Sequence, residues 1–490
     1  MLEFNSIPLS LRVPGSYIEF DNSMANTPLP AQLHRVLLFG QRKTAGTVAA
    51  GVATRIYASD DSATLFGRGS MLDRMIQIAR SVSTNTELWA IAQDDLQAGT
   101  AATGSVSFAG PATVAGTLPF YIAGTQVETG VTAGMTAAQL ATAFAAAVNA
   151  QPDLPVTAAV DATTTSKVNL TCVWKGLTGN DIDLRSLYYR GDVIPTGITP
   201  TIVAMAGGAG NPSLTASIAG LGDVWFHSWA VPYTDGASIA AVQAELNRRN
   251  SPTVQLRGRS YSFVRDTVGN LGTLGSSYNN QFLTFLGMAK LPSPTWEATA
   301  SLTMTVGTFA PIDPARPLGT LPLPGVLAPV IGDRFVQDDR ESLLHQGIST
   351  AIVDDGGNVL IERLITTYQT TPAGLPDTSY LDVETVLTLF YLDFWLRQRI
   401  ATKWPRFKLA PDGNKLPVGQ AITSPRLIKL DLIAGANTLV DAGLITSLDD
   451  FKASIITEIS ASDPDRVNCL FPPTLVNRFL VFGAQIQFRL

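Results

Sequence analysis

The final fifteen residues, VNRFLVFGAQIQFRL, place Leu480, Phe482, Ala484, Ile486, Phe488 and Leu490 on every even position, with Gly483, Gln485, Gln487 and Arg489 between the later ones. A period of two marks a half-buried β-strand, here running to the last residue. IPLSLRV near the other end repeats the pattern: Ile7, Leu9, Leu11 and Val13 alternate with Pro8, Ser10 and Arg12 until Pro14-Gly15 stops the run. A strand carries open N–H and C=O groups along its edges and needs a neighbour. Ordering about a dozen residues costs roughly 1–2 kcal/mol apiece, and net hydrogen bonds return about 0.5–1.5 kcal/mol each, so the apolar face decides the balance. Burying five large side chains at roughly 1.5–3 kcal/mol each tips it by about 8–15 kcal/mol. The neighbour is either the chain's own sheet or an exposed sheet edge of another subunit, and the pattern leaves both open.

A length of 490 residues predicts two to four domains. Lys+Arg 34 against Asp+Glu 40 leaves a net charge of −6, which provides no basic field for nucleic acid. Charged residues make up only 15% and hydrophobic ones 46%, so much of the folded surface is expected to be covered by protein, as in a large assembly. Cys172 and Cys469 form no disulfide framework or metal cluster, which suits a reducing compartment. MLEFNSIPLS does not read as an export signal. Gln139 and Asn149 interrupt the apolar stretch 134–150, and Glu384, Asp393 and Arg397 interrupt 383–400, so direct membrane insertion is not expected.

The expected fold is an α/β core layer with an inserted β-rich domain and a C-terminal α+β domain. Residues 1–33 form an N-terminal strand and linker arm. Residues 34–97 plus 209–315 form the α/β core, where apolar runs at Val36–Phe39, Leu88–Ala92, Val224–Val231 and Tyr261–Arg265 alternate with helices at 70–83, Ser238–Arg249 and about 276–289. Ser70 with Asp73, and Thr136 with Gln139, read as capping boxes. Residues 98–208 turn to Gly, Ala, Thr and Val in short alternating runs with one helix at 136–149; Phe120, Tyr121, Trp174 and Tyr188 are core material that a linker lacks. Residues 316–475 follow a Pro-rich connector at 311–329 and contain a hairpin at 350–364 around Asp354-Asp355-Gly356-Gly357, a helix over Tyr380–Ile400 and another at 447–459. Residues 476–490 are the terminal strand.

No catalytic constellation emerges. His34, His227 and His345 are scattered, Ser228 beside His227 lacks a G-x-S-x-G elbow, and Gly40-Gln41-Arg42-Lys43-Thr44 does not complete a phosphate loop. The pairs Asp94-Asp95, Asp338-Asp339, Asp354-Asp355 and Asp449-Asp450 read as strand ends, turns or helix starts and lack calcium-loop spacing. The reading is a non-enzymatic building block with no catalytic residue, cofactor or metal.

As a set, IPLSLRVPGSYIEFDNS near the start, HRVLLFGQ at 34–41, LFGRGSMLDRM at 65–75, PVTAAVDAT, KGLTGNDIDLR, GISTAIVDDGGNVLIERLITTYQ at 347–369 and the closing PPTLVNRFLVFGAQIQFRL resemble the Mu-like tail sheath family of contractile-tailed bacteriophages. The resemblance implies hexameric rings stacked helically around a tail tube, contracting to drive the tube through the host envelope. It implies copies of itself, the tail tube protein, the baseplate and the tail terminator or neck as partners, and a place in the virion after assembly in the host cytoplasm. It also implies strand donation between subunits through Ile7, Leu9, Leu11 and Val13 at one end and Leu480, Phe482, Ile486, Phe488 and Leu490 at the other, with the 350–364 hairpin in the receiving sheet. The 98–208 insertion is expected to face outward and to be dispensable for assembly, and Asp449, Asp450, Lys452 and Glu458 on the 447–459 helix are candidates for tube contact. The alternatives are the sheath of a non-viral contractile injection system or tail-like bacteriocin, an α/β enzyme, and a strand-exchanging adhesin, which the missing export signal and cysteine pair disfavour.

Overall fold

Strand Arg35–Gln41 is buried from Val36 to Gln41, and an apolar run covered on both faces is what a parallel sheet demands. It lies inside a nine-stranded sheet whose order is Pro322–Leu327, Asn358–Arg363, Ile348–Val353, Leu283–Met288, Arg259–Arg265, Ser228–Ala230, Arg35–Gln41, Glu87–Gln93 and Ala53–Ile56. The six strands from Ile348–Val353 to Glu87–Gln93 run parallel, with Val36 opposite both Ser228 and Leu88. The outer three are antiparallel. The structure is a computed structural model that describes residues 32–414, 417 and 419–489. Ile7, Leu9, Leu11, Val13 and Leu490 therefore lie outside the described residues.

Helix Met71–Val82 packs Met71, Leu72, Met75, Ile76 and Ala79 inward, and Ser70 caps it by accepting from Asp73 N. The expected box does not close on Ser70, because Asp73 Oδ2 accepts from Gly69 N at 2.7 Å. The helix expected at about 276–289 is replaced by helix Val268–Ser276 and strand Leu283–Met288. LTFLGM is buried at all six positions, and a short run with no polar face carries no period that separates helix from strand. Helix Thr295–Phe309 is buried on every side from Thr295 to Gly307. At Gly307 a Cβ would come within 2.4 Å of Val36 Cγ2, so the helix lies directly on the first strand.

Residues 98–208 form a four-stranded sheet, in the order Thr199–Ala206, Ala101–Ala109, Lys167–Lys175, Val156–Val160, and a three-stranded one of Thr125–Val131, Gly116–Ile122 and Leu184–Arg185. Helix Ala137–Asn149, closed by the Thr136–Gln139 box, packs Phe144 edge-on against Phe108 and Phe120 at 5.5 and 5.0 Å. This core is continuous with that of the α/β layer. Trp174 meets Trp296 edge-to-face at 5.1 Å, both of them buried. Arg68 forks onto Asp153 at 2.8 and 3.0 Å, and Thr295 Oγ1 donates to Asp181 Oδ2 at 3.0 Å. The insertion is thus welded to the body over a broad front.

The hairpin Ile348–Val353/Asn358–Arg363 turns through Asp354–Gly357, with Gly357 at φ 82° and Asp354 Oδ1 accepting from Asn358 N. It continues the central sheet, pairing with Leu283–Met288 on one side and Pro322–Leu327 on the other. Compact packing divides the chain within helix Val383–Lys403, after Phe390. Tyr391–Asn477 form a separate unit with helices Pro425–Asp441 and Leu448–Ser454 and three two-stranded ladders: Lys408–Leu409 with Ile422–Thr423, Ile445–Thr446 with Thr474–Leu475, and Ile456–Ile459 with Val467–Leu470. Asp431 holds Arg399 at 2.8 and 2.9 Å and also pairs with Lys403. Phe471 packs against Trp395 and Phe451.

Candidate inter-subunit strand and its surroundings

Because the alternation at the end of the chain has to be buried somewhere, its placement matters most. Leu475 is the last residue in a ladder, and Val476 N still donates to Leu444 O. From Phe479 to Arg489 the chain joins no sheet among the described residues. Phe482 is 78% exposed, Ile486 88% and Phe488 80%. Closure of the chain's own sheet, one of the two options open at the outset, is not what these residues do.

The hairpin first considered as a receiver cannot accept a strand. Ile348–Val353 has neighbours on both sides, and so has Asn358–Arg363. The hairpin is an interior part of the main sheet, whose edge strands among the described residues are Pro322–Leu327 and Ala53–Ile56, so it belongs to a sheet with open edges without offering one itself. The ladder Ile456–Ile459/Val467–Leu470 is different. Each of its strands has a single partner among the described residues, with Ile456 opposite Leu470 and Thr457 opposite Cys469. Ile456 and Leu470 are both more than half exposed, so the ladder offers open edges and an apolar face together.

The four residues considered for tube contact do not share one helix. The helix stops at Ser454, so Asp449, Asp450 and Lys452 stand on it while Glu458 is on strand Ile456–Ile459, opposite Asn468. Lys452 pairs with Asp449 at 3.0 Å. β-branched Ile455, Ile456 and Thr457 favour the extended continuation over a fourth helical turn.

The structure brings together two histidines that lie 193 positions apart in sequence, because strands Arg35–Gln41 and Ser228–Ala230 are adjacent. His34 Nε2 lies 2.9 Å from Ser228 Oγ, the His34 and His227 rings are 4.7 Å apart, and His227 stacks on Trp225 at 4.8 Å. Their spacing in the sequence gave no hint of this. Ser228 is fully buried inside a parallel strand, so its hydroxyl is not presented to a substrate. Burial holds the His34 imidazole down to about 3 and His227 well below its usual range, which leaves both neutral. His345 pairs with Glu341 at 3.2 Å on helix Gln337–His345.

The carboxyl rim of the sheet, where doubly wound folds hold ligands at the point of strand-order reversal, lies here between Arg35–Gln41 and Ser228–Ala230. The root of the insertion closes it. Gln41 Nε2 donates to Asp95 Oδ1 at 2.6 Å and to Lys175 O at 2.7 Å, and Lys175 N donates to Asp95 Oδ2 at 3.1 Å. Arg42 pairs with Asp94, and Lys43 Nζ donates to Arg68 O. Neither cation is aimed at a vacant phosphate site. Among the described residues no three His, Cys, Asp or Glu side chains converge as metal ligands, and no helix is long and apolar enough to cross a membrane.

A layered α/β body carrying an exposed apolar C-terminal segment is the form of an assembly subunit, and comparison with known proteins places it among contractile-tail sheaths. Residues 207–367 match the family profile described as the phage tail sheath protein central domain, and residues 376–489 match the phage tail sheath C-terminal domain. The Mu-like prophage FluMu tail sheath protein of Haemophilus influenzae is 39% identical over 488 residues, 99% of each chain. The chain belongs to the Mu-like phage tail sheath family and serves as a structural subunit of a contractile sheath. A crystal structure of the sheath tail protein of Desulfitobacterium hafniense superposes with a TM-score of 0.50 at 15% identity, covering 95% of this chain and 97% of that one. The helical sheath of the anti-feeding prophage in its contracted state gives 0.48 at 10% identity, covering 98% of this chain and 99% of that one.

Proposed function

We propose that copies of this chain assemble as hexameric rings stacked helically around a tail tube, held together by exchanged terminal strands, and contract to drive the tube through the host envelope. Residues Leu480–Leu490 of one copy and Ile7–Val13 of another add to the ladder Ile456–Ile459/Val467–Leu470 of a third. The observation that carries this reading is the exposure of Phe482, Ile486 and Phe488 on the alternating face of the C-terminal segment, in a chain that also has a ladder whose edges are open among the described residues. In this scheme residues 34–97 plus 209–315 are the re-packing core, 98–208 face outward, 316–475 supply the receiving ladder, and 1–33 and 476–490 are the arms. The short helix with Asp449, Asp450 and Lys452, and Glu458 beside it, face the tail tube protein. Baseplate and terminator proteins close the two ends, and assembly occurs in the host cytoplasm without nucleic acid or membrane insertion. Contraction requires the broad faces to part and re-pack between two discrete arrangements while the exchanged strands hold. The work comes from the free-energy difference between those arrangements.

Removing residues 479–490 tests this. The truncated chain should stay folded, since those residues belong to no ladder, and should form no tubes by electron microscopy. Phe482→Asp with Ile486→Asp should do the same at full length. Cys469, exposed on the ladder, reports on the receiver: maleimide should label it readily in dispersed chains and slowly in tubes, while Cys172 stays buried in both. Normal tubes from the truncated chain would refute the proposal.

A further inference from the structure

The chain leaves the larger unit after Phe390 and re-enters it at Arg478. One side chain ties the return point to the departure point. Arg478 Nη2 donates to Asp382 Oδ2 at 2.8 Å, and its Nη1 donates to Thr385 Oγ1 at 2.6 Å. Thr385 is in the first turn of helix Val383–Lys403. Asp382 is 7% exposed, accepts from Arg363 Nε at 2.9 Å and forms a backbone bridge with Ile365. Arg363 ends strand Asn358–Arg363 of the main sheet. Immediately beyond, Phe479 and Leu480 line a cleft of about 500 Å³ with Phe309, Ile312, Leu318 and Leu321. The alternating apolar face then stands in solvent.

We infer that Arg478 is the root of the donated strand, a positioning residue that seats the arm on the nine-stranded sheet so that tension on residues 479–490 enters the body through Asp382 and Arg363 and bypasses the 391–477 unit. This rests on the strand-donation reading. With the root fixed, twelve residues reach at most about 40 Å, so the receiving edge of the neighbour lies within that distance of Arg478. Without it the free arm begins after Val476, gains slack and loses its starting direction, and its ordering on assembly costs more.

The arrangement also separates this role from ordinary stabilisation. If Arg478 is removed, Asp382 keeps Arg363, so no buried carboxylate is left unpaired and the dispersed chain should melt nearly as before. Assembly should suffer, because two hydrogen bonds from a charged group no longer fix the arm; the loss corresponds to roughly tenfold or more in the concentration at which tubes first form.

The test compares full-length chains with Arg478→Ala and Arg478→Lys, and the chain lacking 479–490, by thermal melting of dispersed protein and by pelleting and electron microscopy across a concentration series. Arg478→Ala should melt within about 2 °C of the parent and need at least tenfold more protein to form tubes. Arg478→Lys should fall between, since an ammonium holds Asp382 but does not span to Thr385 in the same way. If Arg478→Ala forms tubes at the parent's threshold while the truncated chain forms none, the anchor is overturned and strand donation stands. If the truncated chain forms normal tubes, both are overturned. A melting temperature that falls in proportion to the assembly defect makes Arg478 a plain stabilising pair and overturns the anchor.

Discussion

Replacing Trp174 by alanine should unfold the insertion and the α/β body together. Trp174 is the penultimate residue of strand Lys167–Lys175, is 3% exposed, meets fully buried Trp296 edge-on at 5.1 Å and donates from Nε1 to Thr178 Oγ1 at 3.1 Å. Truncating a buried tryptophan costs about 3–5 kcal/mol, of which the aromatic pair accounts for roughly 0.5–1.5. Against a native stability of about 5–15 kcal/mol that is a large share, and it corresponds to a fall in melting temperature of about 3–5 °C for a chain of this size. The assay is a thermal melt followed at once by near-UV circular dichroism, which reports the packed aromatic residues of the chain together, and by limited proteolysis of residues 98–208. Both signals should shift by the same amount. If the insertion becomes protease-sensitive at lower temperature while the near-UV signal melts where it did before, the insertion is a separate lobe and the shared core is not an energetic unit. Co-unfolding would also mean that a chain without 98–208, expected from resemblance alone to assemble freely, is first of all a destabilised chain.

Two further outcomes follow from the geometry. His34 and His227 are held neutral by burial, His34 down to about 3, so above pH 6.5 neither affects stability, whereas below it the unfolded chain takes up protons that the folded one refuses. Stability should fall with decreasing pH by up to about 1.4 kcal/mol per pH unit for each histidine, and urea titrations of His34→Gln should show a shallower slope between pH 6.5 and 4.5 than the parent; equal slopes would remove His34 from the account. At Gly435 a Cβ would stand 2.5 Å from Arg399 Cζ and 2.6 Å from Trp395 Cζ2, with Arg399 held by Asp431. Gly435→Ala should destabilise the Tyr391–Asn477 unit by about 1–3 kcal/mol in denaturant melts, and an unchanged midpoint would show that Arg399 swings away freely.

What could be read in the sequence was what local chemistry dictates. Helices Met71–Val82 and Ala137–Asn149 start where Ser70 and Thr136 cap them, and the Asp-Asp-Gly-Gly turn makes its hairpin. Helix Thr295–Phe309 escaped because Thr295, Glu297, Thr299, Ser301, Thr303 and Thr305 alternate with apolar residues, a period of two that argues against a helix, and Leu283–Met288 was read as helix because its short apolar run has no period at all. The course of 447–459 depended on three β-branched residues outweighing a good helix start at Asp449 and Asp450. The terminal alternation was visible at once, but its root was not, since Arg478 finds Asp382 across 96 positions. Likewise nothing in its spacing pointed His34 to Ser228, since only the sheet order brings them together. That the hairpin's own edges are occupied was a matter of sheet order too.

The junction of Gln41, Asp95 and Lys175 has a mechanical meaning. Sheets of this order elsewhere leave a mouth at that rim for small molecules; here the mouth is stoppered by the stem of the second lobe. With that stem hydrogen-bonded into the rim, any turn of the body in the proposed contraction has to be carried into the insertion as well.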